Sequence, residues 1–182
     1  MKKITLLFCL FISTLGAISQ EIISRPNPPT LLNDFAQVLT IEQQKTIEQN
    51  LDEFSINTSN QIAVVILQSL NDYPIEDYAT KMLREWGIGQ TKKNNGVLLL
   101  ISIQEKKLKI ETGYGLEGAL PDITCKQIID NYIKPSFKQG DYYAGITQGI
   151  EQIKLAAKGE FNEKSILKNK KDKKAPIKFL IL

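Results

Sequence analysis

The pattern of apolar residues along the chain predicts three β-strands. Residues Gln61 to Leu70 are almost continuously apolar and rich in β-branched side chains, which is typical of a strand buried on both faces. A second apolar run, Val97 to Ile103, follows the turn signal Asn94-Asn95-Gly96. After a polar turn, Leu108 to Glu111 alternates apolar and polar residues, so we expect it to form the second arm of a hairpin.

Helical periodicity predicts two helices in the first half of the chain. The first begins at a capping box, Thr40-x-x-Gln43, in which each residue satisfies the other's backbone N–H. The second begins at Pro74 and carries apolar residues at helical spacing as far as Trp86, which is therefore expected in the core. The inward residues of the first helix are Ile47, Leu51 and Phe54.

Two further helices are predicted in the second half. Thr124-x-x-Gln127 is a second capping box and is expected to begin the third helix, which Pro135 limits or kinks. Gly140-Asp141 precedes the fourth helix, and Gly159 ends it.

The order of these elements, α-β-α-β-β-α-α, predicts an α/β fold, a three-layer α/β/α sandwich with a small mixed central sheet. The first two strands are joined by a helix and should be parallel. The third should be antiparallel to the second. The domain is expected to span residues 31–159, after an extended segment over residues 20–30 that contains Arg25-Pro26-Asn27-Pro28-Pro29.

The two ends of the chain have a different character from the middle. Residues 1–19 resemble a secretory signal peptide: two lysines, a short apolar run and a small-x-small cleavage site, Ala17-Ile18-Ser19. They predict an exported protein of the periplasm or cell envelope. Residues 160–182 are rich in lysine and end in a short apolar run. Two interpretations of this tail stay open: a solvated disordered segment, or a segment that contacts anionic lipid and begins a membrane anchor.

The composition excludes several kinds of active site and of binding partner. Residues 20–160 carry 14 basic and 18 acidic residues, a net charge of −4, which argues against a nucleic-acid partner and is compatible with cations. The chain contains no histidine, so Ser-His-Asp and Cys-His catalysis and every histidine-bearing zinc site are excluded. After removal of the signal peptide one cysteine, Cys125, remains, and we expect it to be a small buried residue.

A glycine-rich loop after the third predicted strand holds the densest group of candidate ligands. Its sequence is Glu111-Thr112-Gly113-Tyr114-Gly115-Leu116-Glu117-Gly118-Ala119-Leu120-Pro121-Asp122. Glycines at this density indicate unusual dihedrals or a close approach of the backbone, and a constrained loop with several carboxylates suits Ca²⁺ or Mg²⁺. Each carboxylate also has a simpler interpretation: Glu111 could pair with Lys109, Glu117 could be solvated, and Asp122 could cap a helix.

Five stretches of the sequence have a recognisable order and spacing: Asn33-Asp34-Phe35-Ala36, Trp86-Gly87-Ile88-Gly89, Asn95-Gly96-Val97-Leu98-Leu99-Leu100, the glycine loop from Glu111 to Gly118, and Pro135-x-Phe137-x-x-Gly140-Asp141-Tyr142. Together they resemble the TPM domain family. The resemblance covers about residues 30–158. It implies an α/β/α sandwich in exported bacterial proteins, related to thylakoid-lumen proteins of photosystem II repair, and it implies divalent-cation binding, calcium especially.

The resemblance adds candidate ligands outside the glycine loop. Asp34 becomes a metal ligand on the family match, with a turn or cap residue as the alternative. Asp141 is a further candidate, although helix capping is its leading explanation. The candidate metal ligands are therefore Asp34, Glu111, Glu117, Asp122 and Asp141.

Two functions from different classes follow. The first is an exported Ca²⁺-binding domain, with Mg²⁺ or another divalent cation as alternatives, that acts through a protein partner in envelope maintenance. In this hypothesis one cation joins the glycine loop to the Asp34 loop. The alternative is a metal-dependent acid phosphatase that hydrolyses phosphomonoesters, an activity attributed to plant members of the family. The sequence favours binding, because it shows neither a histidine acid nor a dense basic phosphate clamp.

Overall fold

The computed structural model of the protein describes residues 21–159 and residue 161. Within them the strands are β1 Leu32–Asp34, β2 Gln61–Leu67, β3 Gly96–Ser102 and β4 Lys107–Thr112. The helices are α1 Ile41–Thr58, α2 Ile75–Glu85, α3 Asp122–Ile128, α4 Lys134–Phe137 and α5 Tyr142–Ala157. None of these helices is long and apolar enough to cross a bilayer. The predicted signal peptide and all of the predicted tail except residue 161 lie outside the described residues.

The strands form one sheet in the order β1-β2-β3-β4. β1, β2 and β3 are parallel, and β4 is antiparallel to β3. This confirms the predicted three-layer α/β/α arrangement, the parallel pairing across α2 and the hairpin. The strand directions also define two opposite ends of the sheet. The carboxyl ends of β1 to β3 lie at one end, together with the hairpin turn, and the carboxyl end of β4 lies at the other.

β1 is not among the predicted strands, and Asp34 lies in a strand rather than in the expected loop. Asp34 is the last residue of this strand and pairs with Ile66 of β2. The strand has only three residues, too few for alternation to be recognised. Its position is defined by tertiary contacts, because the carboxylate of Glu48 on α1 accepts backbone N–H groups from Leu31 at 2.8 Å and Leu32 at 2.6 Å.

The central strands are buried on both faces, as predicted. Alternate residues of β2 belong to two separate apolar cores. Helices α1, α3 and α5 cover one face, and α2 covers the other together with Ile22 and Ile23. The first core takes Ile62, Val64 and Ile66 from β2, and the second takes Ala63, Val65 and Leu67.

The predicted beginnings of the first two helices are confirmed. At α1, Gln43 donates its backbone N–H to the Thr40 hydroxyl at 3.2 Å, and the Gln43 side chain accepts the Thr40 N–H at 2.9 Å. α2 begins directly after Pro74. Trp86 follows α2 and is only 4% exposed, so the prediction of core packing is also confirmed.

The third helix begins two residues before the predicted capping box. The carbonyl of Pro121 accepts backbone N–H groups from Thr124 and Cys125, so the first turn starts at Asp122 and Thr124 is not a cap. Further on, the chain widens into a π-helical turn, Ile129–Ile133, directly before α4. Pro135 explains the interruption, because it has no N–H to donate to the carbonyl four residues earlier.

The residues ahead of the sheet pack against α2. Ile22 is buried in the second core. Trp86 donates its indole Nε1–H to the carbonyl of Ile23 at 2.9 Å, the Ile23 N–H bonds the Tyr78 hydroxyl at 3.1 Å, and Arg25 donates to the carbonyl of Trp86. The predicted extended segment is thus joined to the domain.

Glu105, in the hairpin turn, fastens the carboxyl ends of β2 and β3. Its carboxylate accepts hydrogen bonds from the hydroxyls of Ser102 and Ser69 and from the Leu70 N–H. These bonds, the one from Ser102 first, lower the pKa of Glu105 from 4.5 to about 2. The carboxylate form is therefore preferred in the folded state.

We expect the bonds to Glu105 to make stability depend on acidity. Because the folded pKa lies below the ordinary value, the contribution is complete above pH 4.5 and is lost as the pH falls toward 2. Glu105→Gln should lower the free energy of unfolding by about 1 kcal/mol at pH 7, after allowing for solvent screening. It should also make that free energy vary less with pH. Urea unfolding at pH 7, 4 and 3 tests this, with Glu53→Gln on the exposed face of α1 as control. An unchanged pH dependence in Glu105→Gln would contradict the prediction.

Candidate functional site

Three of the five candidate ligands line one open cleft at the end of β4. This acidic cleft has a volume of about 560 Å³. It lies between the first two turns of α2, the last residues of β4 and the beginning of α3. It is lined by Glu76, Thr80, Lys109, Glu111, Thr112, Glu117, Leu120, Pro121 and Asp122.

Glu111 is held in the cleft from two sides. It lies on β4, and one carboxylate oxygen accepts the hydroxyl of Thr80 on α2 at 2.8 Å. The other oxygen lies 3.5 Å from the ammonium nitrogen of Lys109. Its side chain is 18% exposed, so this carboxylate is fixed in place yet reachable from solvent.

Lys109 lies between two of the candidate ligands. Its ammonium nitrogen is 3.5 Å from Glu111 and 3.6 Å from Oδ1 of Asp122. Burial by itself would lower the pKa of Lys109, but the charges of Glu111 and Asp122 and their hydrogen bonds outweigh it, so the pKa is raised. The lysine is therefore a firmly protonated cation shared by two carboxylates. The alternative interpretation of Glu111 as a partner of Lys109 is confirmed.

The glycines of the loop allow close approach of two backbones. Gly113 and Gly115 donate their N–H groups to the carbonyls of Gly96 and Asn94, at 2.8 and 3.0 Å. A Cβ at Gly113 would lie 2.3 Å from the carbonyl oxygen of Asn94, and a Cβ at Gly115 would lie 2.0 Å from that of Lys93. The loop is thus fixed to the turn that precedes β3.

Glu117 and Asp122 are more exposed than Glu111. Glu117 follows the 3₁₀ turn Tyr114–Leu116 and also lines an adjoining cleft beside the end of α2. The side chain of Asp122 is 95% exposed, and as the first residue of α3 it complements the helix dipole rather than capping the helix. Tyr114 is 81% exposed on the same loop.

Asp34 and Asp141 lie away from the acidic cleft. Asp34 is level with Ile66, Ile101 and Leu108 across the sheet. The glycine loop instead begins with Glu111 and Thr112, which pair with Leu98 and Val97 near the start of β3. The expectation that one cation joins the Asp34 loop to the glycine loop is therefore wrong. Because β4 runs antiparallel to β3, it carries the glycine loop to the opposite end of the strands from Asp34.

Both outlying aspartates have local roles. One oxygen of Asp34 accepts the Leu39 N–H at 2.9 Å, and the other is buried without a hydrogen-bond partner among the described residues. Asp141 caps α5 by accepting the Ala144 N–H at 2.9 Å, so its leading explanation is confirmed. Cys125 is buried, and burial raises the pKa of its thiol, as a structural cysteine requires.

The acidic cleft is not a preassembled metal cage. In the part of the chain that the structure describes, no three acidic, cysteine or histidine side chains come close enough to hold a metal ion. Thr80 and Glu76 also line the cleft but are not among the predicted site residues, and Lys109 enters the prediction only as a rival partner of Glu111. The signal for Lys109 was available, because residues two apart on a strand point to the same face.

Comparison with known families agrees with this arrangement. The model of the TPM domain family matches residues 32–156. The chain belongs to the TPM domain family. The match covers every strand and nearly all of α5, so the TPM domain here includes the acidic cleft, the Asp34 turn and the Asp141 cap.

Solved structures are similar to this TPM domain over most of its length. One is the N-terminal domain of a protein from P. gingivalis, with 35% identity and a TM-score of 0.67, over 72% of this chain and 84% of that one. Another is the BA42 protein from Bizionia argentinensis, with 27% identity and a TM-score of 0.60, over 70% and 87%.

A third structure supports the fold alone. The N-terminal domain of the cg2496 protein from Corynebacterium glutamicum has 14% identity and a TM-score of 0.57, over 79% of this chain and 91% of that one. No curated protein matches the chain.

Proposed function

We propose that this TPM domain binds a divalent cation, Ca²⁺ especially, in the acidic cleft, and that it works outside the cytoplasm through a protein partner. The observation that carries the proposal is the position of Lys109 between Glu111 and Asp122. A positive charge already lies where two carboxylates converge. Oxygen ligands of this kind are those that Ca²⁺ prefers.

In this proposal the ion takes the place of the Lys109 ammonium. Glu111 is the fixed ligand, because Thr80 and β4 hold it. Glu117 and Asp122 are exposed and line the same cleft, from the glycine loop and from the start of α3. Binding then requires the lysine to move out as the carboxylates close on the ion. The lysine offsets part of the negative charge of the cleft when no ion is bound, so it competes with the ion and weakens binding.

The proposal predicts a specific pattern in a calcium titration of the purified protein by calorimetry. Glu117→Gln and Asp122→Asn should each weaken binding by roughly tenfold or more, because each removes a charged ligand. Lys109→Met should tighten it, since the competing cation is gone. Asp34→Asn and Asp141→Asn should leave it unchanged, because both lie at other parts of the fold.

The controls keep the shape of the side chains. Asparagine is a good N-cap, so Asp141→Asn should preserve α5. Saturable binding that is lost in Asp34→Asn but kept in Glu117→Gln would place the ion near Asp34, at the opposite end of the strands, and would overturn the proposal. So would the absence of saturable binding at millimolar Ca²⁺ and Mg²⁺.

The same preparations test for catalysis. The lysines that converge in this fold lie at the hairpin end of β4, away from the acidic cleft, so the cleft has no dense basic clamp for a phosphoryl group. We therefore expect no metal-dependent hydrolysis of p-nitrophenyl phosphate. Hydrolysis that requires Ca²⁺ or Mg²⁺ and is slower in Glu117→Gln would instead show that the domain is a metal-dependent phosphatase.

A further inference from the structure

A second cleft, opposite in charge, lies at the other end of β4. It opens between the β3–β4 hairpin and the segment that joins the π-helical turn to α5, and its volume is about 650 Å³. We call it the basic cleft. Its rim carries Lys106, Lys107, Lys134 and Lys138, and its apolar surface is formed by Ile101, Ile103, Leu108, Phe137 and Tyr142.

The charge of this cleft is only partly neutralised by ion pairs among the described residues. None of its lining residues is a carboxylate, although the domain as a whole is acidic. Lys134 is paired with Asp130 at 2.6 Å. Lys106, Lys107 and Lys138 are exposed and form no ion pair with any other residue in the described ranges. Like charges that converge in this way repel one another, and an anion would relieve the repulsion.

The interior of the cleft is apolar and aromatic. Leu108, Phe137 and Tyr142 are half-buried, so part of each side chain still faces the opening. The rings of Phe137 and Tyr142 meet edge to face with centroids 4.9 Å apart, which fixes one wall. A volume of this size is in the range of small-molecule sites, which are mostly apolar with a few placed polar groups.

We propose that the basic cleft binds a small anionic amphiphile, a carboxylate or phosphate group joined to an apolar body. The head group pairs with Lys106, Lys107 and Lys138 at the rim. The apolar body covers Leu108 and the Phe137–Tyr142 wall. A ligand with only one of these two parts would satisfy only half of the cleft. An inorganic anion would leave the apolar wall in contact with water, and a neutral apolar molecule would leave the lysines unpaired. The site is separate from the acidic cleft, so the two proposals fail independently.

Binding is tested by calorimetry and by amide chemical-shift mapping of the full chain with n-octyl phosphate and n-octanoate. We expect saturable binding with shifts at Leu108, Phe137 and Tyr142. Lys106→Glu with Lys138→Glu should weaken it by roughly tenfold or more, since each reversal replaces an attraction with a repulsion. The matched control is Lys45→Glu with Lys92→Glu, which makes the same change of net charge at exposed lysines outside the cleft.

Two further arms identify the source of the ligand. Inorganic phosphate should bind much more weakly than n-octyl phosphate. Sedimentation with phosphatidylglycerol vesicles, lost in the cleft variant and not in the control, would assign the head group to a lipid; binding of the soluble amphiphiles alone would assign it to a soluble compound. Equal affinity for inorganic phosphate, equal loss in the control, or no shifts in the cleft would overturn the proposal.

Discussion

Gly115→Ala should destabilise the domain by about 2–4 kcal/mol, and Gly118→Ala in the same loop should change stability by less than about 0.5 kcal/mol. A Cβ at Gly115 would lie 2.0 Å from the carbonyl oxygen of Lys93, a backbone atom that cannot turn aside. The hydrogen bond from Gly115 to Asn94 would be lost as the two segments separate. At Gly118 an added Cβ meets nothing within 4 Å.

Thermal unfolding measures this difference. The loss at Gly115 should lower Tm by roughly 10 °C for a domain of this size. If calcium binds at the acidic cleft, Gly115→Ala should also weaken it, since the displaced loop carries Glu117. Similar melting temperatures for the two variants would show that the loop does not depend on close backbone approach.

Glu48→Ala should cost about 2–4 kcal/mol, because it removes the charged acceptor of two backbone donors at once. The Glu48 carboxylate accepts the N–H groups of Leu31 and Leu32 at 2.8 and 2.6 Å. β1 has only three residues and pairs with β2 alone, so it has few other bonds that hold it.

Chemical denaturation with two related variants separates this effect from helix propensity. Glu48→Gln keeps one acceptor oxygen and should lose about half as much as Glu48→Ala. Glu53→Ala removes an exposed glutamate from the same helix and should cost less than about 0.5 kcal/mol. Equal losses in Glu48→Ala and Glu53→Ala would mean that the carboxylate does not secure β1.

The sequence predicts this fold well where a residue's role depends on its near neighbours. The two-faced burial of β2, the capping box of α1 and the helix after Pro74 are all encoded within short windows, and each is confirmed. β1 escaped prediction because its bonds come from Glu48 and from β2, both distant in sequence. The start of α3 was misplaced because Pro121 supplies its first carbonyl acceptor ahead of the Thr124 box.

The same distinction between near and distant residues applies to the candidate site. Glu111, Glu117 and Asp122 are close in sequence and line one cleft. Asp34 was joined to them only by analogy, and the antiparallel direction of β4 separates them. The basic cleft was not foreseen at all, because its lysines come from a hairpin turn and from the segment around α4, almost thirty residues apart. No local pattern marks their convergence.

Trp86 gives the protein a built-in optical probe. It is the only tryptophan of the chain, and its indole is buried against the segment that leads into the domain, with Nε1–H bonded to Ile23. Release of that segment would expose the ring to water and shift its emission to longer wavelengths while the sheet stays folded. Global unfolding would expose the same ring, so a red shift that comes before the loss of far-UV circular dichroism reports detachment of the leading segment, without any added label.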